Sequence, residues 1–253
     1  MRYFSLTAVI LLTITLFPSC DNENPLYIGD TPYADKVVSA PGATGSGYGK
    51  SSNAADGVHG AGCTGGNASD VYSLSNESSD ENTYIILRWS GRRVTNGTGT
   101  DFAVFENPFD NGTCGSGTRF MDQLIVSLSI DGTEWVDFPY DYTATDETTY
   151  SNDPADWSGF AGVTPVLFNE ETNPVDPFSA ANAGGDHFDL DDLDDSTNPT
   201  LVTKIKNEGF IYIKLTAAGT VINSDTVENF VHDSFADGPD VDGVYGKYLE
   251  DVE

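Results

Sequence analysis

The segment Gln123–Ile130 constrains the fold most, because apolar and polar side chains alternate along it. Successive side chains of a β-strand point to opposite faces of a sheet, so this pattern predicts a strand with one face toward a core. The residues predicted to face the core are Leu124, Val126, Leu128 and Ile130. The residues predicted to face outward are Gln123, Ser127 and Ser129. The Asp131–Gly132 pair then predicts a tight turn into a second strand over Thr133–Phe138.

Other segments have the same strand-like composition, and Gly, Pro, Asn and Asp residues separate them. They are Val71–Leu74, Thr83–Ser90, Asp101–Glu106 and Gly209–Thr216. A helical period is almost absent, apart from one expected turn around Leu190 and Leu193. Strands at this spacing predict an all-β fold, a two-sheet antiparallel sandwich. No composition break marks a second domain, so residues 34–253 are predicted to form a single β-sandwich domain.

The first 19 residues are predicted to be a lipoprotein signal peptide. Arg2 supplies the positive charge, Leu6–Phe17 is too short for a comfortable membrane span, and a small residue precedes Cys20. This pattern predicts cleavage before Cys20 and lipid attachment to its sulfur, with residues 20–33 as lipidated cysteine and tether. The expected location is the bacterial cell envelope, anchored in the outer membrane by lipid only, on the surface or periplasmic face. An ordinary secretory signal with an incidental cysteine is the alternative.

Two cysteines remain after Cys20, and both lie in glycine-rich loops. Cys63 stands within Gly62–Gly66, and Cys114 within Gly112–Gly117. An even pair in an exported protein predicts a disulfide, because the compartment is oxidising. Free thiols or thiolate metal ligands are the alternative, although no Cys-x-x-Cys spacing supports the latter.

The formal net charge is −29, from 40 acidic and 11 basic residues. Such a chain repels nucleic acid phosphates and anionic lipid surfaces, so neither is an expected partner. The acidity has two interpretations. The first is solubility outside the cell; the second is that clustered carboxylates hold a hard cation such as Ca²⁺.

Three stretches place carboxylates at the edges of apolar segments: Gly99–Phe109, Gly184–Leu190 and Gly238–Gly243. The later two are predicted to be partners of the first. Ca²⁺ prefers six to eight oxygen ligands, which such loop–strand junctions can supply. The candidate metal ligands are Asp101, Glu106, Asp186, Asp189, Asp240 and Asp242. The alternative is that these side chains cap turns by accepting backbone hydrogen bonds.

Catalytic signals are weak. The chain has no Gly-x-Ser-x-Gly elbow, and its three histidines show no metal-binding spacing. Among the aromatic residues, Trp157 is the candidate for stacking on a ligand, because it lies in the polar loop Pro154–Gly159. A turn-rich stretch of this kind is the expected place for a binding surface on a sandwich fold.

The run Gly99-Thr-Asp-Phe-Ala-Val-Phe-Glu-Asn-Pro-Phe109 resembles the DFxVFENPF signature of uncharacterised bacterial surface lipoproteins, including those of spirochaetes such as leptospires. Later motifs are similar in order: 126–135, 161–165, 183–190 and 240–244. The resemblance covers about 33–246 and implies a jelly-roll-like surface domain, but it implies no activity. The Cys63 and Cys114 loops depart from the usual pattern of this family.

These observations predict a lipid-anchored envelope protein with a β-sandwich that binds a ligand or partner without catalysis and is stabilised by Ca²⁺. The expected partner is a glycan or an extracellular protein. A secreted polysaccharide-active hydrolase on the same fold and a purely structural envelope lipoprotein are the alternatives.

Overall fold

In the computed structural model the described residues are 31–252, except 43–48, 67–69, 77–82, 195 and 235–237. The predicted signal peptide, Cys20 and most of the 20–33 tether lie outside the described residues.

Short strands dominate the described residues, and all of their pairings are antiparallel. The strands are β1 (Lys36–Ser39), β2 (Tyr72–Ser73), β3 (Tyr84–Arg88), β4 (Arg92–Val94), β5 (Phe102–Phe105), β6 (Phe109–Asp110), β7 (Arg119–Phe120), β8 (Leu124–Ser129), β9 (Val136–Asp137), β10 (Asp141–Tyr142), β11 (Trp157–Ser158), β12 (Asp186–Phe188), β13 (Tyr212–Ala217), β14 (Asp240–Val241), β15 (Gly243–Gly246) and β16 (Leu249–Asp251). The α-helices are α1 (Ala180–Ala183) and α2 (Pro199–Glu208). Single 3₁₀ turns span Ser51–Ala55, Pro154–Asp156, Leu190–Asp192 and Ala218–Thr220.

The largest sheet has five strands in the order β1-β3-β13-β8-β9. Its centre is β13, in which Ile213 pairs with Leu87 of β3 and with Leu128 of β8. Burial alternates along β13: Ile213 and Leu215 are buried, whereas Lys214 between them is only partly buried. The predicted strands therefore exist here, and their mainly β character is confirmed.

A second sheet has three strands in the order β12-β5-β15. Val104 of β5 lies between Asp186 of β12 and Val244 of β15. The prediction that the second acidic-edged stretch is a partner of the first is confirmed by the pairing of β12 with β5. The third stretch pairs with β5 only at its last residue, Gly243, where β15 begins, and its Asp240–Val241 pairs with β2 instead. All four side chains of β5 are buried. Four further pairs complete the pattern: β10-β11, β14-β2, β16-β4 and β6-β7.

The two faces of β5 contact different parts of the core. Phe102 and Val104 join the main cluster with residues of the five-stranded sheet, such as Leu87 and Leu215. Phe105 packs on the other side, in a smaller cluster with Phe168 and Tyr245. The three-stranded sheet is thus covered on both faces at β5.

One prediction about β8 is wrong. Gln123, Ser127 and Ser129 were expected to face outward, but each is at most 2% exposed. This face is covered because Ile125 packs there in an aromatic cluster built from the long segment after β9, which includes Tyr142 and Phe160. A hairpin connects β8 to β9 as predicted, but Leu128 pairs with Val136, so the connection is longer than the tight turn expected at Asp131–Gly132, and the second strand is only Val136–Asp137.

Helix α2 was not predicted. Its start has ordinary capping chemistry, since the side chain of Asn198 accepts the backbone N–H of Leu201 and Pro199 occupies the first turn. Gly209 ends it with φ of +82°. The expected turn around Leu190 is present as the 3₁₀ turn Leu190–Asp192. No helix among the described residues is long and apolar enough to cross a membrane.

Candidate functional site

A pocket of about 380 Å³ opens where the chain leaves β5. Glu106 follows the last residue of β5, and Pro108 then interrupts the backbone donors of the strand. Residues from four places in the chain meet around this point. The described lining residues are Thr64, Gly65, Gly66, Glu106, Asn107, Pro108, Phe109, Phe120, Asp122 and Asp240.

Three carboxylates stand together in the lining: Glu106, Asp122 and Asp240. Glu106 is 3% exposed, and its Oε1 accepts the backbone N–H of Asp240 at 2.7 Å. Its Oε2 is buried and has no hydrogen-bond partner among the described residues. Asp122 accepts the side-chain amide of Asn76 at 3.0 Å, and Asp240 accepts the hydroxyl of Ser73. Glu106 therefore has one buried oxygen, Oε2, that can still accept a hydrogen bond.

The charge of Glu106 is strongly disfavoured in this place. Burial is the main cause, and repulsion from Asp122 and Asp240 adds to it, so the pKa of Glu106 lies well above its ordinary value. The hydrogen bond from the Asp240 N–H opposes this rise but does not cancel it. No Lys, Arg or His side chain is among the described residues that line the pocket.

An aromatic pair forms one wall. Phe109 of β6 and Phe120 of β7 are directly opposite in register, with ring centroids 5.0 Å apart and planes tilted by 33°. Both rings are only partly buried, so they offer apolar surface beside the carboxylates. Behind them, the guanidinium of Arg119 donates to Asp110 at 2.8 Å and fixes the short β-ribbon.

The cysteine loops hold this wall in place. Cys63 and Cys114 lie at disulfide distance, with Cα atoms 5.4 Å apart, so the predicted disulfide is compatible with the structure. The carbonyl of Cys63 also accepts the N–H of Asp110 at 2.6 Å. The disulfide would thus tie the loop that carries Thr64–Gly66 to the ribbon that carries Phe109 and Phe120.

Four of the six predicted metal ligands lie outside this pocket, and each of them accepts backbone hydrogen bonds. Asp101 is fully buried and accepts the N–H groups of Gly97 and Leu190, both at 2.7 Å. Asp189 caps the following 3₁₀ turn by accepting the N–H of Asp191 at 2.9 Å. These contacts agree with the turn-capping alternative.

Asp186 and Asp242 follow the same pattern. Asp186 accepts the N–H of Val163 at 3.0 Å, and burial raises its pKa to about 6. Both oxygens of Asp242 lie 3.1 Å from the N–H of His59, and burial, with the nearby charges of Asp70 and others, raises its pKa to about 8. Among the described residues, no three His, Cys, Asp or Glu side chains already form a metal-binding group.

The prediction that Trp157 is a surface residue is wrong. Its side chain is 2% exposed and stacks on Tyr142, with ring centroids 3.8 Å apart. Its indole N–H donates to the carbonyl of Ser151 at 3.0 Å, which satisfies the only polar atom of the ring. The loop is polar in sequence, but it folds its large ring inward to build the aromatic cluster around Phe160.

Sequence reasoning missed Asp122 and the pair Phe109 and Phe120. Asp122 could have been noticed, because it immediately precedes the clearest strand in the same way that Glu106 immediately follows another. The meeting of Phe109 with Phe120 had no sequence signal, since a glycine-rich loop of unpredictable shape separates them.

Taken together, the fold and the site define a mainly β, antiparallel protein with one small pocket that combines carboxylates and aromatic rings. No model of a known protein family matches the chain, and no curated protein matches it.

Proposed function

We propose that this protein is a lipid-anchored binding protein of the bacterial cell envelope, which holds a glycan in the pocket beside Glu106 without cleaving it. The observation that supports this most is the pairing of an aromatic wall, Phe109 and Phe120, with carboxylate and amide groups in one 380 Å³ pocket. A volume of about 300–1,000 Å³ is usual for sites that bind small molecules.

The chemistry of the lining suits a sugar ring. One face of a pyranose is a patch of C–H groups, which packs on aromatic rings such as Phe109. Its hydroxyl groups donate and accept hydrogen bonds, and the Asn107 amide and the Asp122 carboxylate can complement them. With a net charge of −29, the protein favours neutral glycans over acidic ones.

The same proposal includes the architecture and the anchor. The five-stranded and three-stranded sheets would be the two layers of a jelly-roll-like sandwich, which is supported by the shared core of Phe102, Val104 and Leu215. The lipid on Cys20 and membership of the DFxVFENPF lipoprotein family rest on the sequence patterns. The disulfide between Cys63 and Cys114 would keep the pocket wall in place in an oxidising compartment.

The test is calorimetric titration of the purified protein with a panel of neutral oligosaccharides, in buffer that contains Ca²⁺. We expect saturable binding of at least one glycan, weakened about tenfold or more in Phe120→Ala, since a lost aromatic contact costs roughly 1.4 kcal/mol or more at a binding hot spot. Trp135→Ala is the matched control, because Trp135 is also a partly buried ring but lies against Lys214, outside the pocket.

Three results would overturn the proposal. If no glycan binds but an extracellular matrix protein does, the partner is a protein. If neither binds saturably, the purely structural role is favoured. Equal weakening by Phe120→Ala and Trp135→Ala would show that the pocket is not the site.

A hydrolase on the same fold is the second candidate, and the state of Glu106 supports it. A buried carboxylic acid with a raised pKa next to other carboxylates is the arrangement that glycosidases use for a general acid. Release of reducing ends from a glycan of the panel, abolished in Glu106→Gln while binding persists, would favour the hydrolase. Binding without release of reducing ends favours the binding protein.

A further inference from the structure

The Glu106 carboxylate is an unusual group to bury. It is 3% exposed and stands beside Asp122 and Asp240, and its Oε2 has no hydrogen-bond partner among the described residues. Leaving a buried polar atom unsatisfied is costly, and a buried carboxylate is normally paired or bound to a cation. No basic side chain is among the described lining residues to supply that compensation.

The backbone packs closely around Oε2. Gly162 has φ of +80°, and a Cβ at this position would lie 3.3 Å from Oε2 and 2.2 Å from the carbonyl oxygen of Asp122. Gly66 similarly lies against the amide of Asn107, where a Cβ would be 2.7 Å from its nitrogen. Glycine at these two positions lets the backbone approach the oxygen atoms closely.

We propose that this corner of the pocket binds a calcium ion, with the free oxygen of Glu106 as its central protein ligand and Asp122 or Asp240 as the second carboxylate. Asn107, backbone carbonyls and water would complete a shell of oxygens. The six-residue ligand set expected from the sequence is thereby replaced. Glu106 and Asp240 remain in it, Asp122 enters, and the four carboxylates that do not line the pocket leave.

The choice of calcium follows from the donor atoms. All of the available donors are oxygens, and the described lining has no thiolate or imidazole that would favour zinc or copper. Calcium accepts six to eight oxygens in flexible geometry, whereas magnesium demands a near-ideal octahedron.

This inference deepens the proposed function, because a cation beside Phe109 and Phe120 could also bind sugar hydroxyls. Its test uses the metal alone and so does not depend on any glycan. The purified protein is freed of metal with EDTA and titrated with CaCl₂ by calorimetry, and its melting temperature is measured in EDTA, Ca²⁺ and Mg²⁺. We expect saturable binding of one Ca²⁺ ion and a rise of several degrees in Tm, larger with Ca²⁺ than with Mg²⁺.

Two variants locate the ion. Glu106→Gln keeps the shape and the hydrogen bond from the Asp240 N–H, so it should fold in EDTA yet bind Ca²⁺ at least tenfold more weakly. Asp122→Asn, the second variant, should also bind more weakly. Asp189→Asn removes one charge from a turn-capping carboxylate and should bind Ca²⁺ as the parent protein does.

The possible outcomes distinguish the absence of a calcium site from a calcium site elsewhere in the protein. No heat and no change of Tm in millimolar Ca²⁺ would overturn the calcium site, and glycan binding would then stand or fall on its own titration. Ca²⁺ binding that is unchanged in both Glu106→Gln and Asp122→Asn would overturn this location for the ion.

Discussion

The two ends of strand β5 carry the same chemical group in opposite situations. Asp101 stands just before the strand and Glu106 just after it, and both are buried. The oxygens of Asp101 accept two backbone N–H groups, from Gly97 and Leu190. One oxygen of Glu106 accepts the N–H of Asp240, but the other has no partner among the described residues.

The difference teaches what separates a structural carboxylate from a candidate ligand. Where neighbouring loops supply backbone donors, the carboxylate becomes part of the fold and has little capacity for anything else. Where two further carboxylates stand beside it, as Asp122 and Asp240 stand beside Glu106, a proton or a cation would relieve the repulsion among the three groups. The Asp101 end is thus a cap, and the Glu106 end is a pocket.

The largest expected effect comes from removing the disulfide next to the Glu106 end of β5. Replacing both cysteines in the double variant Cys63→Ser, Cys114→Ser should lower the free energy of unfolding by about 4 kcal/mol, because the bond closes a loop with a sequence separation of 51. Urea denaturation measures this loss. The Asp101 end should be unaffected locally, so hydrogen exchange of the Leu190 amide, which donates to Asp101, should be protected relative to global unfolding as in the parent protein.

Reductant provides the control for that prediction. It should destabilise the parent protein by a similar amount and leave the double variant unchanged. A double variant within about 1 kcal/mol of the parent would contradict the assignment of the bond as a major constraint on the unfolded chain.

The fold was largely predictable because its signal is local. Period-two alternation identified β8 and β13, and the turn residues identified where strands end. Helix α2 was missed, although Asn198, Pro199 and Gly209 are ordinary start and stop signals. Its apolar residues, Leu201, Val202 and Ile205, cover too few turns to give a convincing period.

The candidate site was less predictable, because it depends on which loops meet. The sequence identified six acidic residues at strand edges, but it could not tell Asp101 from Glu106. That difference lies in backbone donors contributed from positions as distant as Leu190 and Asp240. Trp157 was chosen for the polarity of its neighbours, yet tertiary packing buries it. Long-range contacts of this kind leave no trace in local composition.

The next effect tests the cap end. Asp101→Asn should lower the free energy of unfolding by about 2 kcal/mol, because an amide has one oxygen and must leave Leu190 or Gly97 facing an NH₂ group. Asp189→Asn is the matched control. The Asp189 side chain accepts a single N–H, from Asp191, and the one oxygen of an asparagine can keep that hydrogen bond. We therefore expect the free energy of unfolding to fall by less than about 0.5 kcal/mol. Equal losses in the two variants would contradict the comparison.

The smallest expected effect is a pH dependence of the loss of stability caused by Asp101→Asn. Burial, with smaller contributions from the charges of Asp189 and Asp191, raises the pKa of Asp101 to about 6. The unfolded chain has the lower, ordinary value, so the folded state holds the proton more tightly. The stabilisation from this proton is complete below about pH 4 and is lost as the pH rises through about 6.

The penalty of Asp101→Asn should therefore be about 1 kcal/mol larger at pH 5 than at pH 7, because only the parent protein gains from protonation of Asp101. Urea denaturation of both proteins at the two pH values, in EDTA, gives this difference directly. A penalty for Asp101→Asn that is constant or grows toward pH 7 would mean that the backbone donors of Gly97 and Leu190 outweigh burial and keep Asp101 charged. Asp101 would then be a buried carboxylate whose charge is fully stabilised by its backbone donors, and it would differ from Glu106 even more than we propose.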